Sequence, residues 1–269
     1  MRRGGDRPAG GLAGKLLAAA LVLVALGAGL LCSTHAAPAE RVIASYTTSF
    51  AGRSPNQIAN SLRAAKALDG VAVPPRAAFS FNTRVGPWTA DRGYRRAPVS
   101  YDGELTVAAG GGVCQVSTTL YGAALLGGME ILERHRHFWP VSYARPGTDA
   151  AVAFPSIDLR FRNPLPATVR VRARQSGQRL IVELLSTASA GRYSLETEQI
   201  AVRPPATLLR RDARLSPGQI VETNRGQAGQ RVAVYRLRHT ADGPAQRTLI
   251  SVDSYPALNR IVKTGAAEP

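Results

Sequence analysis

Apolar residues recur at helical spacing in two stretches of the chain. The first stretch follows Ser54-Pro55, where the serine suits a helix N-cap and the proline suits the first helical position, and it stops at Asp69-Gly70. The second stretch runs from Val113 to Leu126 and stops at Gly127-Gly128. Residues three and four apart share one face of a helix. We therefore expect a helix that docks on the fold in the first stretch and a buried helix in the second.

Extended patterns predict strands elsewhere. Gln230–Arg238 alternates apolar and polar residues with a period of two, which is typical of a strand with one buried face. A further strand begins after Gly128 and carries His135 and His137, and Phe79–Asn82 is expected to form a short strand. Turns are expected at Val85–Trp88 and Ala241–Pro244.

The order of these elements predicts an α+β fold. The helix that carries Cys114 is expected to pack on an antiparallel sheet, with a β-rich C-terminal region after it. Small residues at Ser186–Gly191 have the composition of a linker. We therefore expect a leader of residues 1–37, a first domain of residues 41–186 and a small β-rich module of residues 192–265.

The N-terminus has the pattern of an export signal. Four basic residues precede the apolar run Leu16–Leu31, as in a signal peptide. The run is shorter than the roughly 20 residues of a membrane-spanning helix, so cleavage as a signal peptide and retention as a signal anchor are both open. Lipidation at Cys32 is the least favoured fate because the bulky Leu31 precedes it. We expect an extracytoplasmic protein, either secreted or anchored to the cytoplasmic membrane.

Charge narrows the class of partner. The chain of 269 residues has a formal net charge of +16. Removing the leader, with its four basic residues and Asp6, leaves +13. Outside a bacterial membrane such a charge attracts anionic lipids or wall polymers, and no sequence module for nucleic-acid binding is present. We expect peptidoglycan or an anionic cell-wall polymer as the partner, and a monomer, since no heptad or repeat pattern predicts assembly.

Cys114 is the main candidate for chemistry. It follows three glycines at the start of the second predicted helix, where unpaired N–H groups and positive partial charge stabilise a thiolate. Glycines also let another molecule approach the backbone closely. With Cys32 in the leader, Cys114 has no partner for a disulfide, which in an exported chain invites a chemical explanation. The alternative is a buried structural cysteine.

Two histidines can supply a base for this thiol. If their segment is extended, His135 and His137 lie on one face, and a strand that returns along the helix brings one of them to its N-terminus. Such an imidazole would remove the thiol proton, and Asp149 or Asp158 would orient the imidazole. The predicted catalytic residues are Cys114, His135 or His137 as the base, and Asp149.

The same residues allow a zinc site as an alternative. Cys114, His135 and His137 could supply three zinc ligands, but their spacing matches no common zinc signature and the chain has no HExxH motif. We therefore expect no metal and no cofactor. Trp139, beside Phe138, is expected in the wall of a sugar or peptide groove, whereas Tyr121 is expected in the core. The residues predicted to bind a ligand are Gly110, Gly111, Gly112, Gln115, Ser117 and Trp139.

These motifs resemble those of the VanW family, named for accessory proteins in vancomycin-resistance clusters. The resemblance runs from about Ile43 to Arg174 and is carried by the block GGGVCQVSTTLYGAALLGGMEILERHRHFWPVSY and the segment GTDAAVAFPSIDLRFRN, with FSFN, VGP and APV before them. It implies an extracytoplasmic bacterial protein associated with the envelope and peptidoglycan, whose activity is not settled. The segment SYPALNRIV resembles small β-rich wall-associated modules found beside VanW domains.

A more distant resemblance is to transglutaminase-like thiol enzymes, in which a cysteine opens a helix and strands that carry a histidine and an aspartate follow. Cys114 and Asp149 occur in a similar order. Where the histidine strand should begin, the chain has Thr148-Asp149-Ala150. The resemblance therefore implies that His135 or His137 would have to serve as the base.

Two functions follow from the sequence. The first is a module that binds peptidoglycan or wall polymer, in which the glycine-rich helix start captures a terminal carboxylate. The second is a Cys114-dependent amidase or acyl transferase that acts on peptidoglycan stem peptides, with oxyanion donors at the Gly112–Gln115 turn. The unfilled base position favours binding slightly, and whether the protein is an enzyme stays open.

Overall fold

The computed structural model describes Met1, Gly5 and residues 39–101 and 104–265 of the chain. The predicted leader of residues 1–37 lies, apart from Met1 and Gly5, outside the described residues. The residues from Ala39 onward form one compact unit. None of the helices in the described ranges has both the length and the apolar character needed to cross a membrane.

The described residues contain three helices, which are α1 (Pro55–Leu68), α2 (Phe81–Val85) and α3 (Val113–Leu126). Helix α1 begins with a reciprocal cap, in which the Ser54 hydroxyl accepts from the Gln57 N–H at 3.3 Å and the Gln57 side chain accepts from the Ser54 N–H at 3.1 Å. Both helices predicted from the apolar spacing are therefore confirmed. The strand predicted at Phe79–Asn82 is wrong in part, because the chain turns into α2 at Phe81.

Fifteen strands form five sheets within the same residues. In chain order the strands are β1 (Arg41–Ser49), β2 (Ala72–Val73), β3 (Ala78–Ser80), β4 (Arg96–Tyr101), β5 (Glu104–Ala109), β6 (Glu130–Glu133), β7 (Arg160–Arg162), β8 (Val169–Ser176), β9 (Arg179–Ser186), β10 (Arg192–Arg203), β11 (Thr207–Arg211), β12 (Ile220–Asn224), β13 (Gly229–His239), β14 (Gln246–Tyr255) and β15 (Arg260–Thr264). The sheets have the strand orders β1-β9-β8-β2, β3-β7-β6, β4-β5, β10-β13-β14 and β11-β15-β12. Apart from the parallel pair β11 and β15, the pairs are antiparallel.

Helix α3 lies at the centre of the core. It packs on β1 and β9, and α1 contacts both α3 and β8. Val116, Leu120 and Leu125 of α3 are fully buried, and burial of one such leucine contributes about 1.5–3 kcal/mol. A hydrogen bond of 2.8 Å between the hydroxyls of Thr48 and Thr119 also joins β1 to α3. The position of the α3 N-terminus is therefore fixed by a well-packed core.

The predicted α+β class is wrong. Strands hold 44% of the described residues and helices 15%, so the fold is mainly β, with several small sheets. Strands β2, β3 and β7 have only two or three residues each, too few to show a period of two. Pairing with partners that are distant in sequence defines them, and a local pattern does not reveal that pairing. The transglutaminase-like arrangement, expected with the α+β class, is not supported either.

The segment after Gly128 also differs from its prediction. Strand β6 ends at Glu133, and His135 then forms an isolated bridge with Ala151, whose N–H donates to the His135 carbonyl oxygen at 2.7 Å. His135 and His137 therefore lie beyond the strand expected to carry them. The strand predicted at Gln230–Arg238 is confirmed within β13. The division into domains 41–186 and 192–265 stays a prediction.

Candidate active site

The glycines before α3 are required by contacts within the protein. Gly112 is the N-cap of α3 in the left-handed conformation, with φ of 109°, which side chains disfavour. A Cβ atom at Gly111 would lie 2.5 Å from the Pro98 carbonyl oxygen, and one at Gly112 would collide with the Gln57 carbonyl oxygen of α1. The space that the sequence offers to another molecule is thus filled by α1 and β4.

Cys114 lies in the first turn of α3, and the residue is partly buried. The thiol donates to the Val152 carbonyl oxygen at 3.4 Å. At the predicted oxyanion site, the N–H groups of Val113 and Gln115 already donate to glycine carbonyl oxygens of the same turn. Within residues 39–101 and 104–265 the Cys114 N–H has no such acceptor. A free N–H at a helix N-terminus can stabilise negative charge on a bound oxygen.

The His137 ring lies between Cys114 and Asp149. Its Nδ1 is 2.7 Å from Asp149 Oδ2, and the same oxygen accepts the His137 backbone N–H at 2.7 Å. The ring is also close enough to the Cys114 thiol to lower the pKa of that thiol. With Nδ1 on the carboxylate, Nε2 is the ring nitrogen that can serve the thiol, and the Tyr143 hydroxyl lies 3.5 Å from it. The structure therefore brings three of the predicted residues together as a thiol, an imidazole and an orienting carboxylate.

Contacts with α3 hold the segment that carries Asp149. The Ser117 hydroxyl donates to the Ala150 carbonyl oxygen at 2.7 Å, and the Thr118 hydroxyl accepts from the Ala150 N–H at 3.0 Å. Ser117 and Thr118 lie about one helical turn after Cys114. One element therefore carries the thiol and also fixes the backbone next to Asp149.

Two further groups hold the second oxygen of Asp149. The Tyr255 hydroxyl donates to Oδ1 at 2.5 Å, and Arg134 Nη2 lies 3.2 Å from the same oxygen. Arg134 also pairs with Asp253 at 2.7 Å. The side chains of Arg134 and Asp149 are only 6% and 1% exposed, so water screens these charges weakly. Strand β14, which carries Asp253 and Tyr255, thus contributes to the site.

The contacts among Cys114, His137 and Asp149 favour the charged form of each side chain. Burial would raise the pKa of the Cys114 thiol, but the hydrogen bond and charge of His137 outweigh it, so that this pKa is lowered from its ordinary 9.0. Burial would lower the pKa of His137, but hydrogen bonds with Asp149 and Cys114 raise it from 6.5 to about 9. Against its own burial, the pKa of Asp149 falls from 3.8 to about 2, mainly because of His137. The arrangement favours a thiolate, an imidazolium and a carboxylate.

The other candidate base and orienter lie elsewhere. The His135 side chain is 46% exposed and pairs with Glu133 at 3.1 Å. Asp158 accepts the Asn82 N–H at 2.8 Å and the Ser80 hydroxyl at 2.5 Å, at the start of α2. The described residues contain no group of three or more histidines, cysteines and carboxylates arranged to hold a metal ion.

The part of the chain that carries Cys114, His137 and Asp149 matches a known protein family. Residues 56–185 match the family model described as VanW like protein. This part of the chain belongs to the VanW family. Cys114, His137 and Asp149 all lie within the VanW match, whereas Asp253 and Tyr255 lie outside it.

Two curated relatives match about half of the chain. The chain is 39% identical over 142 residues to the uncharacterized protein YoaR of Bacillus subtilis (strain 168), an alignment that covers 53% of the chain and 47% of YoaR. It is 29% identical over 136 residues to the vancomycin B-type resistance protein VanW of Enterococcus faecalis (strain ATCC 700802 / V583), which covers 49% of the chain and 50% of that protein. The chain thus spans about half the length of the curated relatives it matches.

Solved structures of two G5 domains show a partial likeness. The G5 domain of IgA1 protease is 20% identical with a TM-score of 0.23, covering 28% of this chain and 89% of that one. The HP0197-G5 structure is 24% identical with a TM-score of 0.17, covering 28% of this chain and 100% of that one. At these TM-scores the likeness carries no argument about the fold.

The remaining predicted residues of the VanW domain have internal contacts. The Gln115 side chain is buried and donates to the Thr48 hydroxyl at 3.1 Å and to the Ser49 carbonyl oxygen at 2.8 Å. Ser117 is also buried. A ligand that contacted Gln115 or Ser117 would have to displace this packing. Trp139 is half-buried against the exposed Phe138, with ring centroids 5.0 Å apart, and its place in a groove wall stays a prediction.

Sequence reasoning misses the residues that contact Oδ1 of Asp149. Tyr255 is 106 positions away from Asp149, and no local pattern connects two such positions. Arg134 gives a weak signal, because it is the second of two charged residues that follow the apolar Ile131 and Leu132. Tyr143 is also missed, although its hydroxyl lies 3.5 Å from His137 Nε2.

Proposed function

We propose that the protein is an exported component of the bacterial cell envelope whose VanW domain catalyses amide hydrolysis or acyl transfer at Cys114, on peptides of the peptidoglycan stem. The observation that carries the proposal is the cluster in which the His137 ring is hydrogen-bonded to Asp149 at 2.7 Å and lowers the pKa of the nearby Cys114 thiol. A cysteine that only filled the core would need no ionised partner. The export pattern of residues 1–37 supports the location.

The residues present account for both halves of such a reaction. The Cys114 thiolate attacks the carbonyl carbon of the peptide, the carbon–nitrogen bond breaks, and His137 gives its proton to the leaving amine. Water or a second amine then attacks the thioester and gives its proton to His137, and the carbon–sulfur bond breaks. The Cys114 N–H supports the oxyanion, while Asp149 holds the ring in one orientation.

Binding without turnover is the second candidate, favoured by charge. The body of the chain carries +13, which concentrates the protein on an anionic wall polymer. The N-terminal segment would add contact with the membrane if it is retained. In this candidate Cys114 takes no part in binding, and its replacement leaves the affinity unchanged.

The rate of Cys114 alkylation by iodoacetamide as a function of pH tests the activated thiol. On the native protein, we expect labelling to follow an apparent pKa below 9.0, because only the thiolate reacts. Cys114→Ser, in which Cys32 is the remaining thiol, gives the background. Labelling that appears only in denaturant would mean an inaccessible structural cysteine and would contradict the proposed chemistry.

Turnover of stem peptides separates the two candidates. We expect the wild-type protein to release an amine from peptidoglycan stem peptides and Cys114→Ser to bind the same peptides without releasing it. Mass spectrometry of the wild-type protein should also detect a thioester on Cys114. Equal affinity in both proteins with no release by either would instead support the binding module.

A further inference from the structure

A second arginine lies beside the candidate active site. Arg53 follows β1 in a turn closed by its N–H, which donates to the Phe50 carbonyl oxygen at 3.0 Å. Its guanidinium carbon lies 4.4 Å from the centre of the Tyr143 ring. The Tyr143 ring meets the His137 ring edge to face, with centroids 6.3 Å apart. One aromatic ring therefore separates the Arg53 guanidinium from the imidazole that faces Cys114.

Arg53 differs in its partners from Arg134 and from Arg136, which donates to the His137 and Phe138 carbonyl oxygens. Arg134 is paired with Asp149 and Asp253. Among the described residues Arg53 has no carboxylate within ion-pair distance, and its Nε atom is buried without a hydrogen-bond partner. A buried donor left without an acceptor costs free energy. An acceptor supplied by a ligand would remove that cost.

The chemistry of Arg53 selects the class of ligand. A guanidinium offers parallel N–H groups that match the two oxygens of a carboxylate. The Tyr143 ring holds the guanidinium by a cation–π contact, which limits where the guanidinium can lie. The glycine-rich start of α3, by contrast, is filled by α1 and β4. A carboxylate near Cys114 would therefore meet Arg53 and not the glycine turn.

We propose that Arg53 binds a carboxylate of the substrate, so that the reacting peptide carries a free carboxylate close to the amide that Cys114 attacks. This inference rests on the proposed acyl transfer at Cys114. It defines the substrate class as acidic peptides. It also assigns a binding residue that precedes α1.

Two alkylating reagents that differ in charge test the inference on the full chain. Iodoacetate carries a carboxylate and iodoacetamide does not. After the labelling of Cys32, measured in Cys114→Ser, is subtracted, both rate constants refer to the Cys114 thiolate, so their ratio cancels any change in thiol pKa. We expect Arg53→Gln to lower the ratio of iodoacetate to iodoacetamide rates by about fivefold or more, since the anion loses its partner. Arg53→Lys keeps the charge without the fork and should give an intermediate ratio.

Arg63→Gln is the matched control, because Arg63 lies over the Tyr94 ring with its guanidinium carbon 5.9 Å from the ring centre. It removes the same charge, and we expect its ratio to stay within about twofold of the wild-type ratio. An equal fall in both variants, or none in Arg53→Gln, overturns the carboxylate site. A thiol that reacts with neither reagent in the native protein overturns the proposed function as well, so the two failures are distinguishable.

Protection by small peptides distinguishes two positions for the carboxylate. N-acetyl-dialanine with a free C-terminus is compared with its C-terminal amide and with N-acetyl-glutamate amide, which keeps only a side-chain carboxylate. Slower iodoacetamide labelling with one acid, lost in Arg53→Gln, identifies the group that binds. Equal protection by the acids and the neutral amide would contradict recognition of a carboxylate.

Discussion

His135 and His137 are two residues apart but lie in opposite environments. The His137 side chain is 12% exposed and hydrogen-bonded to Asp149, whereas the His135 side chain is 46% exposed and pairs with Glu133. Water screens an exposed pair, which is worth about 0–1 kcal/mol. The buried contacts of His137 raise its pKa to about 9. Packing around α3, and not the residue type, therefore decides which imidazole can activate the thiol.

Replacing His137 has the largest expected effect on this comparison. His137→Ala removes the hydrogen bond and charge that lower the pKa of Cys114, so burial would then raise that pKa. The thiolate fraction at neutral pH, and with it the iodoacetamide rate constant, should fall by about 100-fold. An unchanged rate constant in a folded variant would contradict the assignment of His137 as the activating base, because the two histidines would then be equivalent.

Replacing Asp149 should have the next largest effect. Asp149→Asn keeps the shape but removes the charge that supports the imidazolium, and we expect Cys114 alkylation at neutral pH to slow by about tenfold. Asp158→Asn is the matched control, because Asp158 serves the start of α2. Slowing of the same size in both variants would mean that the change acts through general destabilisation.

The lowered pKa of Asp149 predicts that the free energy of unfolding depends on pH. Its pKa is lowered from 3.8 to about 2 in the folded protein, so its contribution is present above 3.8 and is lost as the pH falls through about 2. A shift of this size is worth about 2 kcal/mol. Urea unfolding of the wild type and Asp149→Asn should therefore show a free-energy difference near neutral pH that shrinks in acid. A difference independent of pH would contradict the buried pairing with His137.

Tyr255 tests whether the environment of His137 extends beyond the VanW match. Tyr255→Phe removes the hydroxyl that donates to Asp149 and accepts the Gly147 N–H at 2.8 Å. We expect the free energy of unfolding to fall by about 1–3 kcal/mol, and alkylation of Cys114 to slow by about threefold. Tyr235→Phe in the same sheet is the control, because the Tyr235 hydroxyl makes no hydrogen bond with the described residues. Equal behaviour of the two variants would remove β14 from the site.

The sequence predicts the parts of this site that depend on local patterns and misses the parts that depend on contacts between positions far apart in the chain. The apolar spacing locates α3 and its first turn with Cys114, because helical periodicity is a local property. It does not choose between His135 and His137, since the choice depends on β6 ending at Glu133 and on the bridge from His135 to Ala151. The pairing of the short strands β2, β3 and β7 depends in the same way on partners far along the chain.

His135→Ala should have the smallest effect on thiol reactivity and stability. It tests directly whether His137, and not His135, activates the thiol. The variant removes an exposed imidazole whose partner, Glu133, also lies 3.7 Å from Arg160. We expect the alkylation rate of Cys114 to stay within about twofold of wild type and the free energy of unfolding to change by less than about 0.5 kcal/mol. Loss of thiol reactivity here, with His137→Ala unaffected, would reverse the assignment of the base. The exposed histidine would then have to reach Cys114 by a rearrangement of residues 134–139.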